Sequence, residues 1–449
     1  MIERTIASFG AQKNGQDNSG AFTAALQALR DAGGGSLIVE KGIWRTGPLE
    51  LGSHITLVLE EGSLISFIPE PEQYPPVYTR WEGVECFAMH PLVFAQEQHH
   101  IRIIGKGGMD GSGSVWWELL REKRRKGQCD PETPLEQKLA ALNPGYNQQP
   151  SGGGSRNMQF LRPPLIQFYK CTDILLDGIT LTNSPFWTLH PLFCDTLTVR
   201  NLVITNPPDA PNTDGMDIDS CRHVCIAYCQ VSVGDDGIAL KSGSGEDGIR
   251  ANKPTAAVLV HHCTVRDGHG GIVIGSETAG GIFDVTVEDC AFIGTDRGIR
   301  IKTRRGRGGQ MHDLLFRNLT MENNLCPLVI NMYYRCGTDL SSGLFSLEPA
   351  PVGPGTPSIK NISISGIRAR GCRASAGFIA GLPESPVENL CISDLDLSTD
   401  EKSGVNPEES DMFLGLPPVK EKSFRLLHVK DPQFTDVQVK GPQEPFIYR

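Results

Sequence analysis

The sequence predicts an all-β chain wound as a parallel β-helix, a solenoid, and three observations carry that prediction. Four segments share one pattern, a Gly followed by apolar–x–apolar–x and then Ser or Thr, starting at Gly215, Gly237, Gly271 and Gly298. A second pattern, apolar–x–x–apolar–x–apolar, starts at Leu176, Val199, Ile226, Val260, Val287 and Phe316, with weaker copies at Ile364 and Ile392. Both recur at the 20–30-residue period of stacked repeats, with the alternation and β-branched residues of strands rather than helices.

The elements follow in order. Phe22, Ala25, Leu26 and Leu29 have helical spacing, so residues 18–32 should form a helix capped by Asn18 or Ser19 and ended by Gly33, Gly34 and Gly35. Such a helix would cover the unpaired strand edges at the open end of a solenoid. Strand-like runs come next, at 36–40 and 55–59. Two insertions interrupt the repeat: residues 114–160, polar but with Trp116, Trp117 and a Gly-rich stretch at 151–155, and residues 336–360, rich in Gly and Pro. A third excursion spans 243–254, and the Pro- and Lys-rich residues 398–449 read as an irregular C-terminal cap. One domain over 1–449 is expected, with 1–60 as the N-terminal cap and first strands.

Bulk properties exclude several function classes. The chain has 449 residues, 39% hydrophobic and 21% charged, without an apolar run long enough to span a bilayer, so no membrane partner is expected. Its first residues lack a basic region followed by an apolar stretch, which points to a cytoplasmic location. A net charge of −10 disfavours nucleic acid, and any site for an anionic polysaccharide must be locally basic. The 13 Cys include no CxxC pair, and Cys221, Cys225 and Cys229 with His223 lack zinc-ligand spacing. Cys229, Cys263 and Cys290 occupy the same step of consecutive coils, as a buried row of small hydrophobes would.

Aligning the four units on their glycines collects the chemistry. The position before Gly holds Asp214, Asp236, Gly270 and Arg297, and the one before that Thr213, Asp235, His269 and Asp296. Two steps after Gly, on the outward face, come Asp217, Ala239, Val273 and Arg300; four steps after come Asp219, Lys241, Gly275 and Lys302. Clustered carboxylates suggest a calcium site, acid–base chemistry at a glycosidic bond, or a ladder of Asp turns. The nearby Arg300 and Lys302 favour an anionic ligand over a cation.

Asn212-Thr213-Asp214-Gly215, Gly234-Asp235-Asp236-Gly237, Gly268-His269-Gly270 and Arg300-Ile301-Lys302 resemble the four signature motifs of glycoside hydrolase family 28, the polygalacturonases, in the family's order. The resemblance covers roughly residues 9–334. It implies a right-handed parallel β-helix that hydrolyses α-1,4 links in a galacturonate polymer or oligomer, with inversion and without metal or cofactor. It implies that Asp236 is the general acid, that Asp214 and Asp235 activate water, and that His269 tunes Asp235. Arg300 and Lys302 would grip a galacturonate carboxylate, Asn212 would position the sugar, and Tyr334, rather than Tyr333, would contact it. The intact His and paired Asp favour polygalacturonan over rhamnogalacturonan, with xylogalacturonan an alternative. Exo action is expected over endo: the insertions could wall one end, Trp187 and His190 could line it, and a chain without a leader would meet oligomers. The run Arg304-Arg305-Gly306-Arg307 would extend a basic cleft or form a solvated loop. Competing readings are a calcium-dependent pectate lyase and a non-catalytic sugar-binding β-helix.

Overall fold

The computed structural model describes residues 2–13, 15–127, 130–145, 159–335, 342–410, 415–416 and 419–448. Its contacts divide the chain into two units, 1–81 with 85–234, and 82–84 with 235–449. Both are built from stacked parallel strands, as in a parallel β-helix.

In the first unit each coil contributes three short strands. One stack runs through Glu3–Thr5, Gly35–Val39, Ile55–Leu59, His99–Gly105, Thr172–Asp177, Asp195–Arg200 and Arg222–Ala227, every pair parallel and in register. A second contains Gly42–Thr46, Ser63–Phe67, Gly108–Asp110, Thr180–Thr182, Val203–Thr205 and Gln230–Ser232. The third holds Leu49–Glu50, Val93–Gln96, Ile166–Tyr169, Leu189–Leu192 and Met216–Asp219. Inward residues such as Leu37, Leu57, Ile103, Leu176, Val199 and Ile226 are fully buried and fill the core in columns.

The second unit stacks Thr255–His261, Ile282–Glu288, Gln310–Glu322, Ser358–Cys372, Val387–Thr399 and Gln433–Lys440. A separate stack runs Asp236–Lys241, Gly270–Gly275, Arg297–Lys302, Cys326–Asn331, Gly377–Ala380, Phe424–Leu427 and Phe446–Tyr448. The first of these stacks alternates buried and accessible residues. The strands at 236–241, 270–275, 297–302 and 326–331 are buried at every position. Residues read as outward-facing are therefore covered: Asp217, Asp219, Arg300 and Lys302 are all buried.

Kinks inside the coils are made by Asp and Asn in the left-handed region, which these residues tolerate better than most. Asp313, Asn361 and Asn389 have φ of 55°, 55° and 51°. They form a ladder: Asn361 Nδ2 donates to Asp313 Oδ1 at 2.9 Å, and Asn389 Nδ2 to Asn361 Oδ1 at 2.9 Å. The turn-ladder explanation of clustered Asp thus applies here, whereas Asp214, Asp235 and Asp236 have no positive φ.

The N-terminal helix is Ser19–Asp31, burying Phe22, Ala25, Leu26 and Leu29 as its spacing predicts. Asn18 stands at its N-cap but does not cap it; its amide instead binds the Gln12, Gln16 and Arg45 backbone. The insertion at 114–160 is not a plain loop. It contains the helices Gly113–Arg125 and Pro134–Leu142, the second opened by a capping box between Thr133 and Glu136. Trp116 and Trp117 are buried, Trp117 Nε1 donating to the Ser184 carbonyl at 3.0 Å. The Gly-rich stretch at 151–155 and residues 336–341 of the other insertion lie outside the described residues. The excursion at 243–254 holds a short helix, Gly245–Ala251. The C-terminal part is more regular than its composition suggests, because Phe424–Leu427, Gln433–Lys440 and Phe446–Tyr448 continue the stacks.

The described cysteines are all free thiols, and Cys229, Cys263 and Cys290 are buried as the row reading expects. A second buried row, Cys171, Cys194 and Cys221, accompanies them in the first unit, the Cys194 N–H donating to Cys221 Sγ at 3.4 Å. No described helix is long and apolar enough to cross a membrane.

Close stacking makes some glycines hard to replace, Gly105 among them. Gly105 has φ +127°, and a Cβ there would lie 2.0 Å from the Leu59 carbonyl oxygen of the preceding coil. Gly10 has φ +82° but nothing within 4 Å. We expect Gly105→Ala to cost roughly 3–5 kcal/mol, strain plus overpacking, and Gly10→Ala only about 1 kcal/mol. Equal losses in chemical denaturation would contradict this account.

Candidate active site

The second unit assembles most of the predicted polar cluster. Register places Asp236 beside Gly270, and Gly270 beside Arg297. It likewise aligns Ala239 with Val273 and Val273 with Arg300, while Gly275 neighbours Lys302. Arg300 therefore starts two coils from Asp236. Its guanidinium crosses the intervening coil and NH1 donates to Asp236 Oδ1 at 2.5 Å. Gly270 keeps that path open, because a Cβ there would meet Arg300 Cδ at 3.2 Å and Val273 Cγ2 at 2.5 Å.

Lys302 Nζ donates to the other oxygen, Asp236 Oδ2, at 2.5 Å. Both Asp236 oxygens are thus bound by cations, and all three side chains are almost fully buried. Burial alone would raise the Asp236 pKa; Lys302, Arg300 and Lys241 outweigh it and hold the carboxyl well below the usual range. Burial depresses Lys302, reinforced by Arg300 and only partly offset by Asp236. Tyr334 lies against both cations, its ring centre 5.7 Å from Arg300 Cζ and 5.2 Å from Lys302 Nζ. Tyr333 instead is buried under Arg305, 5.8 Å away.

Asp235 has different surroundings. His269 Nδ1 lies 3.0 Å from Asp235 Oδ1, which also accepts the Asp236 N–H at 2.9 Å. The backbone repeats the pairing, the His269 N–H donating to the Asp235 carbonyl at 2.9 Å. Its side chain is 19% exposed and that of His269 48%, so this pair faces solvent more than the clamp does. The hydrogen bond to Asp235 raises the His269 pKa above its ordinary value, against burial. Burial pushes Asp235 upward, but His269 leaves it below the usual carboxylate range.

Asn212 and Asp214 belong to the first unit. Asn212 has φ 56°, and its Oδ1 accepts from Arg162 NH2 at 2.8 Å; Arg162 also donates to the Pro185 and Pro211 carbonyls. Asp214 is buried, its carbonyl accepting the Thr188 N–H at 2.9 Å just ahead of Met216–Asp219.

Trp187 and His190 are packed inside the first unit. Trp187 belongs to an apolar cluster with Trp81, Phe186 and Leu161. His190 Nδ1 meets Gln167 Nε2 at 2.8 Å in a polar chain that sequence reasoning missed, anchored by Arg80 and Asp219 at 2.8 Å. Burial pushes Asp219 up, yet Arg80 and His190 hold it at about 2. The arginine run is not a solvated loop, since Arg304, Arg305 and Arg307 are buried. Arg305 forks onto Glu384 at 2.6 and 2.8 Å, and Arg307 binds Ser244 Oγ.

Asp235, Asp236 and His269 bring ligand atoms within 4.8 Å of one another, close enough to share a metal ion. Arg300 and Lys302 already neutralise both Asp236 oxygens, so a cation entering there would face two cations.

Residues 147–407 match the Glycosyl hydrolases family 28. A protein of Vitis vinifera named "Probable polygalacturonase" is 30% identical over 406 residues, 87% of this chain and 73% of its own length. An endo-polygalacturonase of Pectobacterium carotovorum is 28% identical, covering 71% of this chain and 73% of its own. The crystal structure of a hyperthermoactive exopolygalacturonase from Thermotoga maritima superposes with a TM-score of 0.74 at 32% identity, over 89% of this chain and 87% of that one. With motifs, fold and family match in agreement, this chain belongs to glycosyl hydrolase family 28.

Proposed function

We propose that this hydrolase is a polygalacturonase that cleaves α-1,4-galacturonosidic bonds with inversion and works from chain ends. The observation that carries the substrate class is the buried pair Arg300 and Lys302 beside Tyr334. His269 pairs with Asp235, whereas Asp236 meets two cations, so the clamp carries one more positive charge than Asp236 needs, which suits a second anion such as a uronate carboxylate. A desolvated guanidinium beside an ammonium suits a planar carboxylate. The names of the relatives agree on polygalacturonan, and the exopolygalacturonase likeness supports action at termini, although an endo enzyme stands among the relatives.

Charge distribution favours exchanging two of the roles expected from the motifs. A general acid must hold a proton at the working pH. Asp236 is kept ionised by Arg300 and Lys302, which suits it to activating water. Asp235 is paired with His269, whose raised pKa lets the imidazole hold a proton beside a carboxyl that itself lies below the usual range. Asp235 lacks the two direct cation contacts of Asp236, so we assign it the delivery of a proton, drawn from His269, to the leaving oxygen.

The function is tested on defined galacturonate oligomers. Galacturonic acid, or one dimer, should appear early with only the oligomer shortened by that unit, the new reducing end appearing first as the β-anomer by NMR. A mixed ladder at early times removes the exo assignment, and initial α-anomer removes inversion.

The roles separate on leaving-group chemistry. Asp235→Asn should lose about 10²–10⁴-fold on oligogalacturonate but far less on an aryl galacturonide whose phenolate needs no protonation. Asp236→Asn should lose comparably on both. The reverse pattern would restore Asp236 as the acid.

His269 supplies a pH signature. Its raised pKa means that the ion pair with Asp235 stabilises the fold fully below the unfolded value of 6.5, and that this is lost as pH rises through the folded value. An NMR titration should place the ring midpoint above 6.5, and Asp235→Asn should lower it.

A further inference from the structure

Three histidines of the first unit converge far along the sequence from the catalytic motifs. His54 and His100 occupy the kinks of consecutive coils, with φ of 59° and 54°, and Asp173 occupies the next kink with φ 51°. Register stacks these kinks, Ile101 pairing with Ile174. The column runs His54, His100, Asp173, with the ring centres of His54 and His100 4.8 Å apart. His99 leans in from the side, its ring centre 4.7 Å from His54 and 5.2 Å from His100.

Their nitrogens are sorted by partner. The Nε2 atoms of His54 and His99 face one another at 3.1 Å. Two ligands of one tetrahedral ion with bonds of 2.0–2.1 Å stand about 3.3 Å apart, so little movement would admit a metal between them. His99 Nδ1 is held by Ser53 Oγ at 3.1 Å, which leaves Nε2 for the cluster. His100 Nδ1 is held by Asp173 Oδ2, which likewise leaves its Nε2. Asp173 is in turn fixed by Arg102, whose NH2 reaches its two oxygens at 2.8 and 2.9 Å. One nitrogen from each ring lies within 4.8 Å of the other two. Orientation of metal-binding imidazoles by a carboxylate or hydroxyl on the far nitrogen is how proteins set tautomer and aim. Surface histidines packed for shape alone do not require it.

We propose that His54, His99 and His100 form a zinc site, three imidazoles leaving a fourth position to water, with Ser53 and Asp173 as positioning residues. All three histidines are exposed, so an ion could enter directly from solvent. The backbone already links the coils here, the His54 N–H donating to the His99 carbonyl at 2.9 Å. Bound zinc would clip these two coils together near the N-terminal end of the stack.

The test is a ZnCl2 titration of chelator-stripped full-length protein, read by competition with a colorimetric chelator and by thermal melting. We expect one equivalent bound at micromolar affinity or tighter, with a rise in Tm. The variant His54→Ala/His100→Ala should lose that equivalent and the Tm rise while retaining hydrolase activity. Asp173→Asn should weaken binding by about 10–100-fold. His269→Ala should keep it, because the carboxylate–histidine group at Asp235 is a separate cluster. Wild-type binding no tighter than that of His54→Ala/His100→Ala, or binding abolished by His269→Ala, would overturn the proposal.

Discussion

In-register parallel pairing between successive coils is the constraint on which the rest depends. Stacked strands lie about 4.8 Å apart, so equal steps of the repeat become neighbours whatever their distance along the chain. Within the second unit this carries Arg300, sixty-four residues on in sequence, back to Asp236. The path exists because the intervening coil presents Gly270 and Val273 to it, and any side chain at 270 would meet the guanidinium stem. A slip of one residue would invert every strand and turn the clamp into the core. The same pairing builds the cysteine rows, the Asn ladder and the histidine column.

Charges buried by such stacking must be matched, because an uncompensated buried ion costs several kcal/mol. Several here are matched one to one. Arg80 meets Asp219 at 2.8 Å, Lys123 meets Glu136 at 2.6 Å, and Arg305 meets Glu384 at 2.6 Å. The second joins the two helices of the insertion to each other. Asp236 differs in having two cations on one carboxylate, with Lys241 and Glu277 forming a further pair at 3.8 Å. A structural pair gains nothing from the second cation, whereas an anion receptor requires it. That asymmetry separates the proposed catalytic cluster from the other buried ion pairs.

The sequence made the solenoid legible because the Gly–apolar–x–apolar pattern repeats often enough to define rows. It placed Asp235 with His269, and Arg300 with Lys302, since those neighbours follow from alignment alone. Cover was not legible, so Asp217 and Asp219 read as outward residues yet are buried. The helices at 113–125 and 134–142 were missed although Thr133, Pro134 and Glu136 spell a capping box. Polarity hid the first, whose buried apolar residues are Trp116, Trp117 and Leu120 among many charged ones. The strand at 433–440 was hidden similarly, its Phe434, Val437 and Val439 diluted by Lys and Gln. Protonation roles lay furthest from reach. Adjacent Asp235 and Asp236 are equivalent as letters and differ only in which cations fold back onto them.

The two cations of the clamp are not interchangeable. Arg300 remains charged at any depth of burial, and Asp236 raises its pKa further, against desolvation. It can fix one oxygen of Asp236 permanently. Lys302 responds to its surroundings: burial and the neighbouring Arg300 depress its pKa, so its charge in the empty site is held at a cost. A second carboxylate arriving beside it would relieve that cost and hold Lys302 cationic. In the function proposed above, substrate binding would draw part of its free energy from that cost. An arginine at 302 would carry no such cost and could not return it.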